Sequence, residues 1–332
     1  MVGIRSPKIM PNLGGIRMSE ISHTKNKLII AGGSGFIGLS FTKYIASTAP
    51  DDWEIIILSR SKPKCDPSHA KWVQWDGRTL GEWTDHLVGA THILNLAGRS
   101  MDCRKTPDRC DQILRSRVES TAIIGQALSQ LQQKPKAWVQ MSAAGIYGDP
   151  PTVLCTESSP FGYGFAPTVC KAWEDTFHEH CPEAIRKVIL RTNVVMGKDG
   201  GAFPVLKRVA ALGLGGRVGS GTQGMSWIHI DDMNRIIEDA LINNNRQGAY
   251  IAASPSPVSY KEFMRELRKA LKQPIGLPGP AWGIKLITAT IIDTDPDLIL
   301  YGRYLNPKRL IDEGFEFKFQ SIKPAIADLT RK

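Results

Sequence analysis

The stretch KLIIAGGSGFIG, residues 27–38, constrains what this chain can fold into more than any other part of it. An apolar run ends at Ala31, and glycines follow at positions 32, 35 and 38. Apolar residues then recur at helical spacing: Ile37, Phe41, Tyr44 and Ile45. This order predicts a strand, a tight turn and a helix. Because glycine permits positive φ and leaves bare amides at the positive end of a helix, the stretch predicts a dinucleotide-binding turn.

Glycine-rich turns also simply join strands to helices, so the segment that follows the helix matters. Residues 54–60 predict a second strand, because residues 55–58 form the continuous apolar run that is typical of a parallel strand covered on both faces. A strand, a helix and a second strand at this distance favour a nucleotide-binding unit over a bare turn.

The end of this second strand indicates which cofactor the unit prefers. Folds that prefer NAD place a carboxylate here for the ribose hydroxyls, whereas this chain has Ser59 and Arg60, followed by Lys62 and Lys64. A hydroxyl and a guanidinium suit a 2′-phosphate, which a carboxylate would repel. We therefore predict NADP(H) as the cofactor. The alternative is that Arg60 is an ordinary surface arginine.

Two further segments are predicted to line the cofactor cleft. Residues 91–96 predict a strand that runs into Leu96, Ala97 and Gly98, where small residues let the backbone approach the adenosine and its ribose. The alternative there is only a tight turn. Residues 107–131 show a helical pattern that carries Arg117, which either faces the cleft or is solvated.

A further predicted strand and the helix after it carry the candidate catalytic residues. Residues 137–141 end in Ser142, and ligands lie beyond the carboxyl ends of strands in open α/β sheets, so this hydroxyl is placed to touch a reacting carbonyl or alcohol. A serine at this point is also a common cap of a helix or turn. Residues 166–180 predict a helix on which Lys171 leans toward the nicotinamide ribose.

The whole chain predicts an α/β protein, with a Rossmann-type doubly wound parallel sheet and a smaller C-terminal substrate domain. We assign residues 27–197 to the NADP-binding domain and expect residues 227–252 to return to it. The sequence becomes Gly-rich from Lys198, so residues 198–226 and 253–330 are assigned to the smaller domain. Residues 1–25 are expected to form a disordered leader.

Composition excludes several classes of partner. The 332 residues are 42% hydrophobic and 22% charged, as in soluble globular proteins, and no apolar run reaches about 18 residues, so no membrane partner is expected. The net charge of +10 has no aromatic-interleaved basic stripe, which argues against nucleic acid. The six cysteines lack C-x-x-C spacing, which predicts a reducing compartment and no metal.

The N-terminal leader leaves the compartment open between two interpretations. Basic residues and Pro11 exclude a secretory signal of the usual form, and we expect a cytoplasmic protein whose true start is either Met1 or Met18. The alternative is that the basic, Ser-containing leader is an organellar transit peptide.

Ten segments together resemble one family across residues 27–329: AGGSGFIG, LSR, NLAG, SRVEST, SAAGIYG, RTNVVMG, KDGGA, LGLGGRVGSG, SWIHIDD and PKRLIDEGFEF. They are similar to the epimerase family within the extended and atypical short-chain dehydrogenases/reductases, which are usually labelled nucleoside-diphosphate-sugar epimerases. The resemblance implies a Rossmann domain with six or seven parallel strands, a smaller C-terminal domain, bound NADP(H) and a homodimer.

The resemblance also implies roles for individual residues. Around the pyrophosphate it places Gly32, Ser34, Gly35, Phe36, Ile37 and Gly38. It implies that Ser59 and Arg60 meet the 2′-phosphate, that Leu96, Ala97 and Gly98 line the adenosine side, and that Arg117 enters the cleft. Lys171 would hold the ribose, and the segment 192–195, with Val194, would approach the nicotinamide.

The catalytic positions depart from the pattern of the wider superfamily. That pattern has a Ser or Thr and a Tyr-x-x-x-Lys pair, in which a tyrosinate is the acid/base and the lysine lowers its pKa. Lys171 matches the lysine, but Pro167 stands at the tyrosine position and transfers no proton. Ser142 matches the serine only if the turn after it is one residue longer than in sugar epimerases; otherwise the match is Ala143. Two nearby tyrosines are candidates to replace the missing acid/base tyrosine. They are Tyr147, which we favour, and Tyr163.

A second departure concerns the substrate. Sugar-nucleotide epimerases that resemble this chain carry a diphosphate-clamping arginine where this chain has Met225, so we do not expect a nucleoside-diphosphate sugar. Two functions stay open. One is an NADP(H)-dependent oxidoreductase or epimerase-like enzyme that acts on a small molecule. The other is a non-catalytic NADP(H)-binding protein that regulates a protein partner, in redox sensing or in cell or organelle division.

Overall fold

A computed structural model describes residues 25–63, 69–280 and 295–331 of the chain. The predicted leader, apart from Lys25, lies outside the described residues, and so does Lys64. The strands in chain order are β1 (Asn26–Ala31), β2 (Trp53–Ser59), β3 (Ala70–Gln74), β4 (His92–Asn95), β5 (Ala137–Ala143), β6 (Leu154–Cys155), β7 (Arg186–Thr192), β8 (Val194–Met196), β9 (Gly224–Met225), β10 (Trp227–His229), β11 (Gly248–Ala252), β12 (Val258–Ser259) and β13 (Tyr304–Leu305).

The helices are α1 (Phe36–Thr48), α2 (Pro107–Gln130), α3 (Phe165–His180), α4 (Phe203–Ala211), α5 (Ile230–Ile242), α6 (Tyr260–Ala270), α7 (Asp297–Leu300), α8 (Lys308–Asp312) and α9 (Ile322–Thr330). Short 3₁₀ turns occur at Glu82–Leu87 and Ala144–Tyr147. Strands and helices alternate through the first two thirds of the chain, which is the order that builds a parallel sheet.

Seven of the strands form one parallel sheet, and their order creates a crevice. Across the sheet the order is β11, β7, β5, β4, β1, β2 and β3, and every neighbouring pair is parallel. The chain therefore proceeds in opposite directions from β1, toward β2 on one side and toward β4 on the other. This reversal opens a crevice beyond the carboxyl ends of β1 and β4, where doubly wound sheets bind their ligands.

Helices cover both faces of the sheet, as the apolar runs of the central strands require. Leu28 and Ile30 of β1 pack with α1 and α5 on one face, whereas Ile29 and Ala31 pack with α2 and α3 on the other. Each of these four residues is at most 1% exposed. The predicted Rossmann-type α/β fold is thus confirmed.

A separate apolar cluster lies in the C-terminal part of the chain. It joins α4, α6 and α9 through buried Phe203, Phe263 and Ile326, and it includes Trp227 of β10. Within the stretch 227–252, β11 joins the main sheet, whereas β10 pairs only with β8 in a separate two-stranded sheet. The polypeptide at 227–229 therefore borders the smaller cluster before the chain returns to the main sheet.

Candidate functional site

The three spaced glycines of the β1–α1 turn each meet a different geometric demand. Gly32 has φ +72°, and a Cβ on it would lie 2.8 Å from the backbone of Ala97. A Cβ on Gly38 would lie 2.5 Å from the carbonyl oxygen of Gly33, so the helix packs directly on the turn. A Cβ on Gly35 would meet only the Gly32 oxygen, at 3.5 Å. Open space is therefore kept at Gly35, which is where a pyrophosphate must approach the backbone.

The amino end of α1 is left without an internal cap. Gly35 is the N-cap residue, it makes no side-chain cap hydrogen bond, and the first turn of the helix carries no acidic residue. The first amides of a helix bind anions readily, because their unpaired N–H groups and the helix dipole both favour negative charge. Ser34, which is partly exposed, directly precedes this end of the helix.

Phe36 and Ile37, predicted to surround the pyrophosphate, have apolar neighbours. Ile37 packs partly buried against the core shared by α1 and α5. The Phe36 ring lies against three glycines of the segment after β8: Cβ atoms on Gly197, Gly200 and Gly201 would come within 2.6, 2.2 and 3.1 Å of it. The ring of Phe36 therefore fixes this segment close to the glycine turn.

The carboxyl end of β4 forms the second wall of the crevice. The amide of Ala97 donates to Asn95 Oδ1 at 3.0 Å, and Asn95 Nδ2 donates to Thr121 and Gln140. Leu96 is partly buried, Ala97 is buried and Gly98 is exposed. The close approach of Gly32 to this wall brings the first two predicted cofactor segments together.

Arg117 of α2 lies against this wall rather than in bulk solvent. A Cβ on Gly98 would lie 3.2 Å from its guanidinium carbon. The guanidinium stacks 5.0 Å above the Trp173 ring, and Nη1 donates to the carbonyl of Ile113 at 2.9 Å. Burial lowers the pKa of Arg117. In the part of the chain that the structure describes, no carboxylate pairs with this cation, so its charge is available to a ligand.

Ser59 and Arg60 follow the point where β2 contacts the glycine turn. The amide of Gly32 donates to the carbonyl of Leu58 at 2.8 Å. The Ser59 hydroxyl is buried, accepts from Trp72 Nε1 at 2.9 Å and donates to the carbonyl of Ser61 at 2.8 Å. Arg60 is exposed, and among residues 25–63, 69–280 and 295–331 no acidic side chain pairs with it. The arginine thus presents a free guanidinium beside the turn.

Ser142 and Tyr147 belong to a buried polar network. Ser142 is 1% exposed, and its hydroxyl donates to Glu174 Oε1 at 2.6 Å. Glu174 accepts two bonds from Arg191, whose Nη1 also donates to the Tyr147 hydroxyl at 2.8 Å. Burial raises the pKa of Tyr147 to about 12, against the opposing charge of Arg191. Both hydroxyls are therefore engaged by neighbouring side chains, and their part in catalysis stays a prediction.

Lys171 and Pro167 lie on α3, outside the polar network of Ser142, Tyr147, Glu174 and Arg191. The Lys171 side chain is 58% exposed, and its Nζ bonds Asp175 Oδ2 at 2.6 Å, one turn along the helix. Pro167 is buried in the first turn of α3, and Tyr163, just before the helix, is 98% exposed. Among the residues that the structure describes, no hydrogen bond joins Lys171 to Ser142, but Glu174, which accepts from Ser142, lies one turn from Lys171 on the same helix.

Val194 and Met225 mark the border with the C-terminal cluster. Val194 opens β8, which pairs with β10, and its partly buried side chain packs against that cluster. The backbone of Met225 forms an isolated parallel β-bridge with that of Arg303, which directly precedes β13. The predicted approach of Val194 to the nicotinamide stays a prediction.

Glu174 and Arg191 bond the two predicted hydroxyls, and Arg303 bonds the Gly148 carbonyl next to Tyr147, although sequence reasoning gave none of the three a role. Arg191 opens the quoted RTNVVMG segment, so its position carried a signal. Glu174 follows the buried Trp173, and a carboxylate on an apolar helix face is a sign of a buried pair. Nothing in the local sequence distinguishes Arg303.

Two further expectations concern metals and membranes. Across the described residues, no group of three or more His, Cys, Asp or Glu side chains is arranged to hold a metal ion. None of the helices that the structure describes is both long and apolar enough to cross a bilayer.

Comparison with protein families gives two matches along the chain. Residues 28–252 match the NAD dependent epimerase/dehydratase family, and residues 280–329 match a domain of unknown function, DUF1731. The first match covers the crevice described above and all of the parallel sheet except the first two residues of β1. It agrees with the resemblance drawn from the sequence segments.

Individual proteins show the same relationship. The chain is 31% identical over 303 residues to the chloroplastic epimerase family protein SDR39U1 homolog of Arabidopsis thaliana, covering 90% of this chain and 84% of that protein. Among solved structures it is similar to human epimerase family protein SDR39U1 with NADPH, at 26% identity and TM-score 0.79, over 92% and 99% of the two chains. It is also similar to a nucleoside-diphosphate sugar epimerase from Corynebacterium glutamicum, at 26% identity and TM-score 0.73, over 93% and 59%.

Proposed function

We propose that this chain, which belongs to the NAD dependent epimerase/dehydratase family, is an NADP(H)-dependent oxidoreductase or epimerase-like enzyme that acts on a small molecule. The observation that carries the proposal is the open backbone at Gly35 under the uncapped amino end of α1. Such a cradle fits a pyrophosphate, and it lies at the crevice where doubly wound sheets hold their nucleotides.

The residues around the crevice fit a dinucleotide. The first amides of α1 and the turn from Gly32 to Gly35 would hold the pyrophosphate, while Ala97 and Gly98 would line the adenosine side. Arg117, with which no carboxylate of the described residues pairs, would offer its guanidinium from the second wall. A bound nicotinamide nucleotide supplies or accepts a hydride, which the side chains of a protein do not do.

The preference for NADP(H) over NAD(H) rests on the end of β2. Arg60 is exposed and lies beside the glycine turn with no acidic residue adjacent to it in sequence. A guanidinium binds a phosphate through paired charge-assisted hydrogen bonds, whereas the ribose hydroxyls of NAD call for a carboxylate. The similar human protein, whose structure was solved with NADPH, supports the same choice.

The chain's own groups would position substrate and move protons. Lys171, exposed on α3, is assigned to the cofactor ribose. Ser142 and Tyr147 are the proposed hydroxyl groups for the substrate, and the Glu174–Arg191 pair would set their orientation. The non-catalytic alternative draws on Pro167 at the usual tyrosine position, and no contact among the described residues favours it over the enzyme.

Compartment and assembly stay predictions. We keep the cytoplasm as the expected location. Organellar import is the alternative, and one relative that is named as chloroplastic supports it. A homodimer likewise stays an expectation from the family resemblance.

The experiment is a calorimetric titration of the protein with NADPH and with NADH. We expect NADPH to bind more tightly, and Arg60→Ala to remove most of that preference, a loss of about 10- to 100-fold for one charge-assisted phosphate contact. Lys43→Ala, which removes an exposed lysine within α1, is the matched control that keeps the preference. If neither nucleotide binds the wild-type protein, the proposed function is wrong.

A substrate screen then separates the enzyme from the regulatory protein. The protein is incubated with NADPH or NADP⁺ and with panels of carbonyl and alcohol compounds, and NADPH absorbance is followed. Turnover that is lost in a Ser142→Ala variant with unchanged NADPH affinity supports the assignment. Tight NADPH binding with no turnover on any panel would favour the regulatory alternative.

A further inference from the structure

Arg303 is a largely buried cation beside the turn that follows β5. Its side chain is 14% exposed. Nε donates to the carbonyl of Gly148 at 2.6 Å, and Nη2 donates to Asp149 Oδ1 at 2.5 Å. The guanidinium thus reaches from the C-terminal part of the chain to the carboxyl end of a central strand, next to the crevice.

The backbone around Arg303 holds this side chain in a fixed place. Ser226 Oγ donates to the Arg303 carbonyl and accepts from the amide of Leu305, both at 2.9 Å. A Cβ on Gly224 would lie 2.4 Å from the Arg303 carbonyl carbon, and a Cβ on Gly302 would lie 2.1 Å from the Gly224 oxygen. Two glycines are therefore required for the segments to approach so closely, and the arginine has little freedom to move away.

Among the described residues, one side of the Arg303 guanidinium has no hydrogen-bond acceptor. Nη1 lies 3.9 Å from the point where a Cβ on Gly145 would be, and no acceptor in the described part of the chain bonds it. The only carboxylate paired with Arg303 there is Asp149, whose side chain is 41% exposed. A buried guanidinium with unused donors directed at a glycine turn is suited to a planar oxyanion.

The charge of a second arginine, Arg117, acts on a thiol that lies beside the same turn. The Cys170 thiol lies 3.6 Å from the Cβ point on Gly145. Burial raises the pKa of Cys170 to about 11, and the charges of both Arg117 and Arg303 oppose that rise. Glu174 is also close, but Arg191 neutralises it through two hydrogen bonds. Arg303 therefore lies beside the Gly145 turn, and Arg117 adds positive charge near the Cys170 thiol, while Glu174 is already paired.

We propose that Arg303 binds a carboxylate or phosphate group of the substrate above the Gly145 turn, so that the substrate is a small oxyanion. The inference rests on the proposed function, since the Gly145 turn is the end of β5 where substrate would meet the cofactor. Gly145 is buried, and the Ala166 methyl, the Cys170 sulfur and Arg303 Nη1 lie 3.4, 3.6 and 3.9 Å from its Cβ point, so no side chain of residue 145 separates Arg303 from the turn. Arg303 acts as a specificity-determining residue and takes no part in proton or hydride transfer.

The test uses two simple anions and protein saturated with NADPH, so that the cofactor's own phosphate sites are filled. Inorganic phosphate and succinate are titrated in separate experiments at low ionic strength, and the fluorescence of bound NADPH reports binding. We expect Arg303→Gln to weaken the preferred anion about 10- to 100-fold, as for loss of a paired charge-assisted contact. The ratio of the two dissociation constants tells a phosphate-bearing substrate from a carboxylate-bearing one.

Two further variants separate anion binding from a purely structural role. Asp149→Asn removes the carboxylate that competes for Arg303, so anion affinity should be kept or increased, even if the melting temperature falls. Arg265→Gln removes an exposed arginine on α6 that pairs with Glu266, and it should leave anion affinity unchanged. If Asp149→Asn and Arg303→Gln weaken anion binding equally, Arg303 only braces the loop and the inference fails.

NADPH affinity is read in the same samples and keeps the two proposals apart. NADPH binding without Arg303-dependent anion binding overturns this inference and leaves the proposed function standing. If NADPH does not bind, the titrations are repeated on the free protein. Arg303-dependent anion binding there would still support the site, and its absence would overturn it.

Discussion

Glu174 of α3 and Arg191 of β7 form a buried two-point ion pair. Arg191 Nε lies 2.9 Å from Glu174 Oε1 and Nη2 lies 2.7 Å from Oε2, and each side chain is only 7% exposed. Ser142 and Tyr147 complete the hydrogen bonds of the pair. Every charge-bearing atom of this pair therefore has a partner, which is the condition under which a buried pair is tolerated.

We expect Glu174→Gln to destabilise the protein strongly. The variant keeps the shape of the side chain but leaves the Arg191 charge buried without its counter-ion, which costs about 3–5 kcal/mol in comparable buried pairs. The free energy of unfolding from urea denaturation measures the effect.

The matched control for Glu174 is its neighbour on α3, Asp175. Asp175 pairs with Lys171 on the exposed face of the helix, so Asp175→Asn should cost only about 0.3–0.5 kcal/mol. Equal losses in the two variants would mean that the Glu174–Arg191 pair contributes no more than a surface pair.

Gly35 and Gly38 of the α1 turn should respond differently to the same substitution. Gly38→Ala places a Cβ against the Gly33 backbone, so we expect a loss of about 1–3 kcal/mol in unfolding free energy. Gly35→Ala meets open space and has an extended φ of −78°, so stability should change by less than about 0.5 kcal/mol.

NADPH titration of the same two variants completes that comparison. Gly35→Ala puts a methyl group where the pyrophosphate is proposed to lie, and we expect at least a tenfold loss of affinity, about 1.4 kcal/mol. A Gly35→Ala variant that binds NADPH like the wild type would show that the cofactor lies elsewhere.

The parts of this molecule that sequence predicted are those set by local pattern. The strands β1 and β2 show continuous apolar runs because both faces of the sheet are covered, and the glycine turn is defined within a few residues. The observed seven-stranded parallel sheet agrees with the six or seven strands implied by the family resemblance.

The polar interior of the site depended on contacts that local pattern does not encode. Glu174 and Arg191 are 17 residues apart and meet only because α3 packs on the sheet, and Arg303 reaches Gly148 across 155 residues. Ser142 was predicted at the right end of β5, but whether its hydroxyl faces the crevice or α3 depends on the face of the strand. In the structure it faces Glu174.

Lys171 offers a test of the assigned ribose contact. Lys171→Ala should lower NADPH affinity about 10-fold or more if the ammonium bonds the ribose, since hydrogen bonds to charged groups contribute about 1.5–3 kcal/mol. Asp175→Asn removes the helix-surface partner of Lys171 and should leave NADPH affinity unchanged. Unaltered binding in Lys171→Ala would reduce Lys171 to a surface residue of α3.

His92 of β4 should make stability fall as the pH drops. Its pKa is lowered from 6.5 to about 4, first by burial and then by the charges of Lys136 and Arg186. Below about pH 6.5 the unfolded chain takes up a proton on His92, whereas the folded protein does so only near pH 4, so protonation favours unfolding across this window. The loss by pH 4 is of the order of 3 kcal/mol, from about 1.4 kcal/mol per unit of pKa.

Urea denaturation between pH 4 and pH 7 measures that dependence, with two variants for comparison. His92→Gln cannot titrate, so its unfolding free energy should fall less steeply than that of the wild type between about pH 6.5 and pH 4. Carboxylates contribute a common slope in this range, and the difference between the two curves isolates His92. The His178→Gln variant removes an exposed histidine and should keep the wild-type slope. Parallel curves for wild type and His92→Gln would show that the buried imidazole does not set the acid limit of the fold.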